Sequence, residues 1–179
     1  MDSYKKLEHL VQRCQSGDRD AFESLVVQYH PRLKYFVRRL DGTSGNADDL
    51  LQEIWMSVFK KIHKLKEPRL FPVWLYRIAR NRVYRGFRRK ERYLQLPEEK
   101  ELPVSCDSEP TFDVHDAERI HEALKKLKPH LREVLTLYYL EQMSYESIAQ
   151  VTRCRIGTIR SRLFYAKQSL REKMESHNE

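Results

Sequence analysis

Arginines alternate with aromatic rings along residues 74–93, WLYRIARNRVYRGFRRKERY, in the order Trp74, Tyr76, Arg77, Arg80, Tyr84, Arg85, Phe87 and Arg88. Bases stack on rings while guanidiniums follow phosphates, so this pattern suits single-stranded DNA. A second cluster is SYESIAQVTRCRIGTIRSRLFYAK, residues 144–167. Ser144 caps a short helix holding Ile148, Ala149 and Val151, and a turn follows at Thr152-Arg153-Cys154. Arg155-Ile156-Gly157-Thr158 then opens a second helix with Ile159 and Leu163 facing inward. This is the plan of a helix-turn-helix, whose second helix enters the major groove. Arg160, Ser161, Phe164 and Tyr165 fall off the apolar face. Arginine and serine reach base edges, and an aromatic packs on a thymine methyl or a sugar. Arg155, Thr158, Arg162 and Lys167 suit phosphates, which position a protein without reading sequence.

The opposite charge stands one helix earlier. In ADDLLQEIW, Asp48 with Gln52 and Asp49 with Glu53 are i,i+4 pairs opposite Leu50, Leu51 and Ile54. Such a face repels DNA and suits a basic protein surface. The helix dipole alone accounts for acids in a first turn, hence for Asp48 and Asp49, but not for Gln52 or Glu53. Plain burial competes with stacking on the aromatic helix. It is accepted for Ile78, while Trp74 stays open between a core role and a wedge role.

No nucleophile–base pair, phosphate-cradling glycine loop or metal-suited carboxylate cluster occurs, so the chain reads as a binding protein, not an enzyme, with no cofactor. The His residues are scattered and no His/Cys spacing resembles a zinc site. Cys14, Cys106 and Cys154 are isolated, which fits a reduced, cytosolic protein with Cys14 and Cys154 as buried thiols. No apolar run reaches membrane-spanning length, and MDSYKKLEHL is no signal peptide.

The elements that must position these residues are helices. With five Gly and apolar residues at helical spacing, the 179 residues read as all-α. Leu7, Leu10, Val11 and Cys14 line a first helix stopped by Ser16-Gly17. Asp18 caps a second, whose apolar face is Phe22, Leu25, Val26, Tyr29, Leu33, Phe36 and Val37, and which Pro31 kinks or splits. A loop at residues 41–45 and a cap at Asn46 precede a third helix burying Leu50, Leu51, Ile54, Val58 and Ile62. Pro68 and Pro72 bracket a connector to the basic helix at Trp74. Further on, Ile120, Leu124 and Leu127 open a second apolar face, Pro129 starts a helix, and Leu131, Val134, Leu135, Tyr138 and Tyr139 form its stripe.

Charge divides the chain. The net charge of +8 and pI near 9.4 favour a polyanionic partner. Residues 94–118 reverse the sign, with Glu98, Glu99, Glu101, Asp107, Glu109, Asp113, Asp116 and Glu118 against Lys100 alone. The reading is two small helical domains, residues 1–93 and 117–175, joined by a flexible acidic linker at 94–116.

On three ordered motifs the chain resembles the extracytoplasmic-function (group IV) sigma factors of bacterial RNA polymerase. NADDLLQEIWMSVFKKI resembles region 2.2, FPVWLYRIARNRV regions 2.3 and 2.4, and residues 127–174 region 4. The resemblance implies sigma-2 and sigma-4 domains, transcription initiation at specific promoters, and a cytoplasmic protein. Asp48, Asp49, Gln52 and Glu53 would hold core RNA polymerase. Trp74 would be a melting wedge, with Arg77, Asn81, Arg82 and Arg85 on the −10 strand of promoter DNA, and residues 64–70 would accept a flipped −10 base. Arg155, Thr158, Arg160, Ser161, Phe164 and Tyr165 would face the −35 groove, and an anti-sigma factor, membrane-bound or soluble, would hold the protein inactive. Three positions depart from the family pattern. Arg153 stands where many members have Gly, so the turn is strained or differently shaped, and Arg155 replaces a frequent Pro. Tyr165 stands where Arg or His is common. A stand-alone helix-turn-helix regulator is the main rival, followed by a protein-binding adaptor and, more distantly, a nuclease. The regulator predicts a sensor or dimerisation domain in place of the ADDLLQE face.

Overall fold

The computed structural model describes the backbone of residues 2–41, 47–90 and 123–175, and every regular element among them is helical. The chain forms two compact units, Met1–Leu94 and Gln95–Glu179.

In the first unit, α1 (Asp2–Gln15) buries Leu7, Val11 and Cys14, with Leu10 at its edge. Gly17, at φ +88°, turns the chain through the left-handed region, which glycine enters without a Cβ clash. Asp18 then caps α2 (Arg19–Asp41): its Oδ1 accepts the Ala21 N–H at 3.0 Å, and Arg13 donates to Oδ2 at 2.9 Å. The Ala21 bond and then the Arg13 guanidinium hold this carboxyl below the ordinary range. α2 runs unbroken through Pro31, so the proline does not split it. Pro31 is exposed, as is Val27 one turn earlier, so the missing backbone bond falls on the water side. The inward face is Ala21, Leu25, Tyr29, Leu33, Phe36, Val37 and Leu40, with Phe22 and Val26 half-buried at its rim.

α3 (Ala47–Lys61) sends Leu51, Ile54, Trp55 and Val58 into the same core. Two 3-10 turns, Ile62–Lys64 and Pro68–Leu70, lead into α4 (Phe71–Lys90). α4 begins three residues earlier than the sequence suggested, because Pro72 lies in its first turn, where no N–H is needed. Phe71, Leu75, Tyr76, Ala79 and Val83 are buried. Tyr76 meets Phe36 edge-on at 5.1 Å, so its ring belongs to the core and not to a stacking surface. Ile78, expected in the core, is half-buried and lines a groove instead.

In the second unit, Leu124 and Leu127 precede α5 (Pro129–Leu135), which starts on its proline and buries Leu131, Val134 and Leu135. The next turn, Thr136–Leu140, is a π-helix, closed by Glu141 N–H on the Thr136 carbonyl at 3.3 Å. The wider turn shifts the apolar phase: Leu137 is fully buried and Tyr139 turns outward, against the expected stripe. α6 (Tyr145–Thr152) and α7 (Ile156–Glu175) complete the unit, burying Ile148 and Val151 against Ile159, Leu163, Ala166 and Leu170. The loop at 42–46 with Asn46, the acidic linker with Cys106, and Ile120 lie outside the described residues.

Candidate nucleic-acid and protein interface

α3 and α4 enclose a groove of about 560 Å³. Gln52, Glu53 and Met56 line it from α3, and Ile78, Asn81, Arg82 and Arg85 from α4. The groove therefore brings together two of the four expected polymerase-facing residues and three of the five expected −10 residues, while Asp48, Asp49, Trp74 and Arg77 lie outside its lining. Glu53 is joined to Arg82 through both Nε and Nη2 of the guanidinium. Asp49, Gln52 and Glu53 are exposed. Asp48 accepts from Lys34 at 2.8 Å; that bond and charge, then Arg38 and His30, hold its carboxyl below the ordinary range.

Two side chains on this face escaped the sequence reading. Met56 and Phe59 are 52% and 58% exposed, although both are apolar. They stand four and seven residues after Gln52, so they continue the polar stripe of α3 as an apolar end. Their position out of phase with Ile54 and Val58 was the signal that could have found them. Phe59 is steadied by the edge of Phe22 at 5.1 Å. Beneath, Trp55 donates its indole N–H to His30 Nδ1 at 3.2 Å, joining α3 to α2.

Along α4, Trp74, Arg77, Asn81 and Arg85 recur every three or four residues and share one stripe. Trp74 is half-buried with its ring 6.2 Å from Phe71, so it is neither core nor fully free. Arg77 is half-buried, and Asn81 and Arg85 are exposed. Residues 64–70 hold a local pair: Arg69 donates to Glu67 Oε2 from Nε at 2.9 Å and Nη2 at 2.7 Å. Side chains beyond Arg85 on α4 lie outside the described residues.

In the second unit, Ser144 Oγ accepts the Ser147 N–H at 3.2 Å and caps α6. Arg153 ends α6 at φ 58°, ψ 39°, the left-handed conformation that glycine takes more easily. The Cys154 N–H returns to the Ala149 carbonyl at 3.2 Å, which satisfies the helix end. The turn thus keeps a glycine-type shape with an arginine in it, at a cost of about 1 kcal/mol.

Arg155, just before α7, and Arg160, Phe164 and Tyr165 on it are exposed, and the two rings meet edge-on at 5.5 Å. Arg160 lies near Glu146, whose carboxyl is held low by its own backbone N–H, then by Ser144, with a smaller effect of Arg160. The other four expected residues are half-buried. Ser161 Oγ donates back to the Gly157 and Thr158 carbonyls at 3.1 and 3.2 Å, and Thr158 is half-buried. Arg162 turns toward the hairpin between the helices, its Nη1 3.4 Å from Cys154 Sγ. Lys167 places its ammonium 5.7 Å from the centres of both the Tyr138 and Tyr139 rings. Burial disfavours its charge, but the Tyr139 hydrogen bond and the phenols of Tyr139, Tyr145 and Tyr138 outweigh it, so its pKa is raised. Among the described residues no His, Cys, Asp and Glu gather as a metal site, and no helix is long and apolar enough to cross a membrane.

Comparison with known proteins agrees with both units. Residues 25–93 match the family model for sigma-70 region 2, and residues 117–170 the model for sigma-70 region 4. The RNA polymerase sigma-H factor of Pseudomonas aeruginosa is 30% identical over 178 residues, covering 91% of each chain. The ECF RNA polymerase sigma-E factor of Escherichia coli is 29% identical over 178 residues, covering 93% of each. Among solved structures, the sigma factor RpoE of Bartonella quintana, crystallised with the anti-sigma factor NepR, is 26% identical with a TM-score of 0.68, over 86% of this chain and 96% of that one. With both sigma regions in order and full-length relatives of the same kind, this chain belongs to the extracytoplasmic-function sigma factors of RNA polymerase.

Proposed function

We propose that this sigma factor holds core RNA polymerase on the acidic stripe of α3 and reads promoter DNA with α4 and α7. Asp48, Asp49, Gln52 and Glu53 take the polymerase, with Met56 and Phe59 as an apolar extension. Trp74, Arg77, Asn81, Arg82 and Arg85 take the opened −10 strand. Arg155, Arg160, Phe164 and Tyr165 face the −35 groove, while Thr158, Ser161, Arg162 and Lys167 support that surface through contacts within the unit. The domain division is residues 1–93 for −10 binding and 117–175 for −35 binding, with 94–116 as linker. The protein acts in the cytoplasm by positioning, without catalysing a bond change. By analogy with the NepR-bound relative, an anti-sigma factor covers these surfaces, whether soluble or anchored at the membrane.

The observation that carries this reading is the shared groove. Gln52 and Glu53 line one wall, and Asn81, Arg82 and Arg85 the other, so a partner on α3 borders directly on a strand laid along α4. A stand-alone regulator has no use for an acidic stripe beside its cationic helix. Charge reversal tests the docking half. Asp49→Lys with Glu53→Lys abolishes comigration with core polymerase, a loss of about 2–5 kcal/mol for a truncated interfacial charge pair. Circular dichroism reports the helices unchanged. Undiminished comigration of the folded variant would contradict the assignment.

A further inference from the structure

Residues 63–70 bury little side chain of their own, so backbone clamps weigh heavily in setting their path. Ile62 and Phe71 are buried at its two ends, but every side chain between them is exposed or half-buried. A loop with so little apolar anchoring samples many shapes unless its backbone is tied. The tie comes from α1. Gln15, the last residue of that helix and half-buried, donates from Nε2 to the Ile62 carbonyl at 2.9 Å and to the Leu65 carbonyl at 2.7 Å. Two carbonyls can be met only by the amide nitrogen, and its two hydrogens are both used. The clamped carbonyls bracket the first 3-10 turn, which Leu65 N–H closes on Ile62 at 3.1 Å. Leu65 then leaves the turn in extended conformation, at φ −74° and ψ 106°, so the clamp fixes the point where the loop changes direction.

We propose that Gln15 is a positioning residue for −10 base discrimination. It holds residues 63–70 in the shape that distinguishes one unstacked base from another; this rests on the reading of that loop as base-accepting. The loop carries Lys64, Lys66 and Arg69 on its exposed surface and runs directly into the helix that presents Trp74 and Asn81. Discriminating one base edge from another requires donors and acceptors fixed to within about 0.5 Å, which this loop obtains from Gln15 and not from a core of its own.

The test is holoenzyme transcription from promoter templates that differ at single −10 bases, using Gln15→Met, which keeps the side-chain length and helix preference but has no donors. Discrimination at the loop-contacted base falls on the order of three- to ten-fold. Discrimination at −35 bases and comigration with core polymerase stay at the parental level. Uniform loss on all templates, or unchanged discrimination, overturns the proposal. Lys64→Ala with Lys66→Ala separates the two readings. If that variant lowers −10 discrimination and Gln15→Met does not, the role of Gln15 alone fails. If neither changes it, the base-accepting loop fails as well.

Discussion

At Arg160 the guanidinium stands exposed on the first turns of α7, one turn before Phe164, with Glu146 close enough to affect its surroundings. Arginine donates in a planar fork that matches the two acceptors of a guanine edge, whereas a phosphate is met equally well on any sequence. Arg160→Ala therefore lowers −35 recognition by about 1–3 kcal/mol at one base position, measured as binding to a set of single-base promoter variants. An equal loss on every variant would reassign Arg160 to phosphate. Residue types and spacing made its exposure on α7 legible without a structure. The same reasoning could not place Ser161, Arg162 or Lys167, because their orientation depends on the Gly157 carbonyl, on Cys154 and on the phenols of the π-turn. Those partners come from backbone geometry or distant sequence, which periodicity does not encode.

Among the elements, the turn between α6 and α7 shows how local strain is tolerated when its surroundings over-determine it. Arg153 adopts φ 58°, while the Ser144 cap, buried Val151 and buried Ile159 hold both helices in place. Arg153→Gly relieves the Cβ clash and raises stability by about 0.5–1 kcal/mol, read as an increase in Tm. No gain would mean that the arginine side chain contributes packing or charge that offsets the strain. Helix existence was legible throughout: the caps at Asp18 and Ser144 and the apolar faces of α2, α6 and α7 follow from residue type and a 3.6-residue period. Boundaries and phase were less so. Pro72 reads as a breaker in sequence yet is tolerated in the first turn of α4, and the π-turn at Thr136–Leu140 rotates Tyr139 outward with no residue that announces it. Met56 and Phe59 were missed because an exposed apolar residue looks, in sequence, like another core residue.

For the whole molecule, a salt-dependent backbone term dominates what a chain of net charge +8 gains from DNA alone. Two modules gain from each other only when held at a fixed separation, which raises the effective concentration of the second contact. In the proposed function core polymerase is the frame that supplies it, and the acidic stripe of α3 is the proposed attachment. On this reading the chain confers promoter choice on polymerase and does not act on duplex DNA unaided. Transcription from a genomic DNA library by purified core polymerase, with and without the protein, tests it most directly. The expected result is a set of discrete new start sites sharing one −35 and one −10 element, present only when the protein is added. No new start sites, together with no comigration with core polymerase, would contradict it.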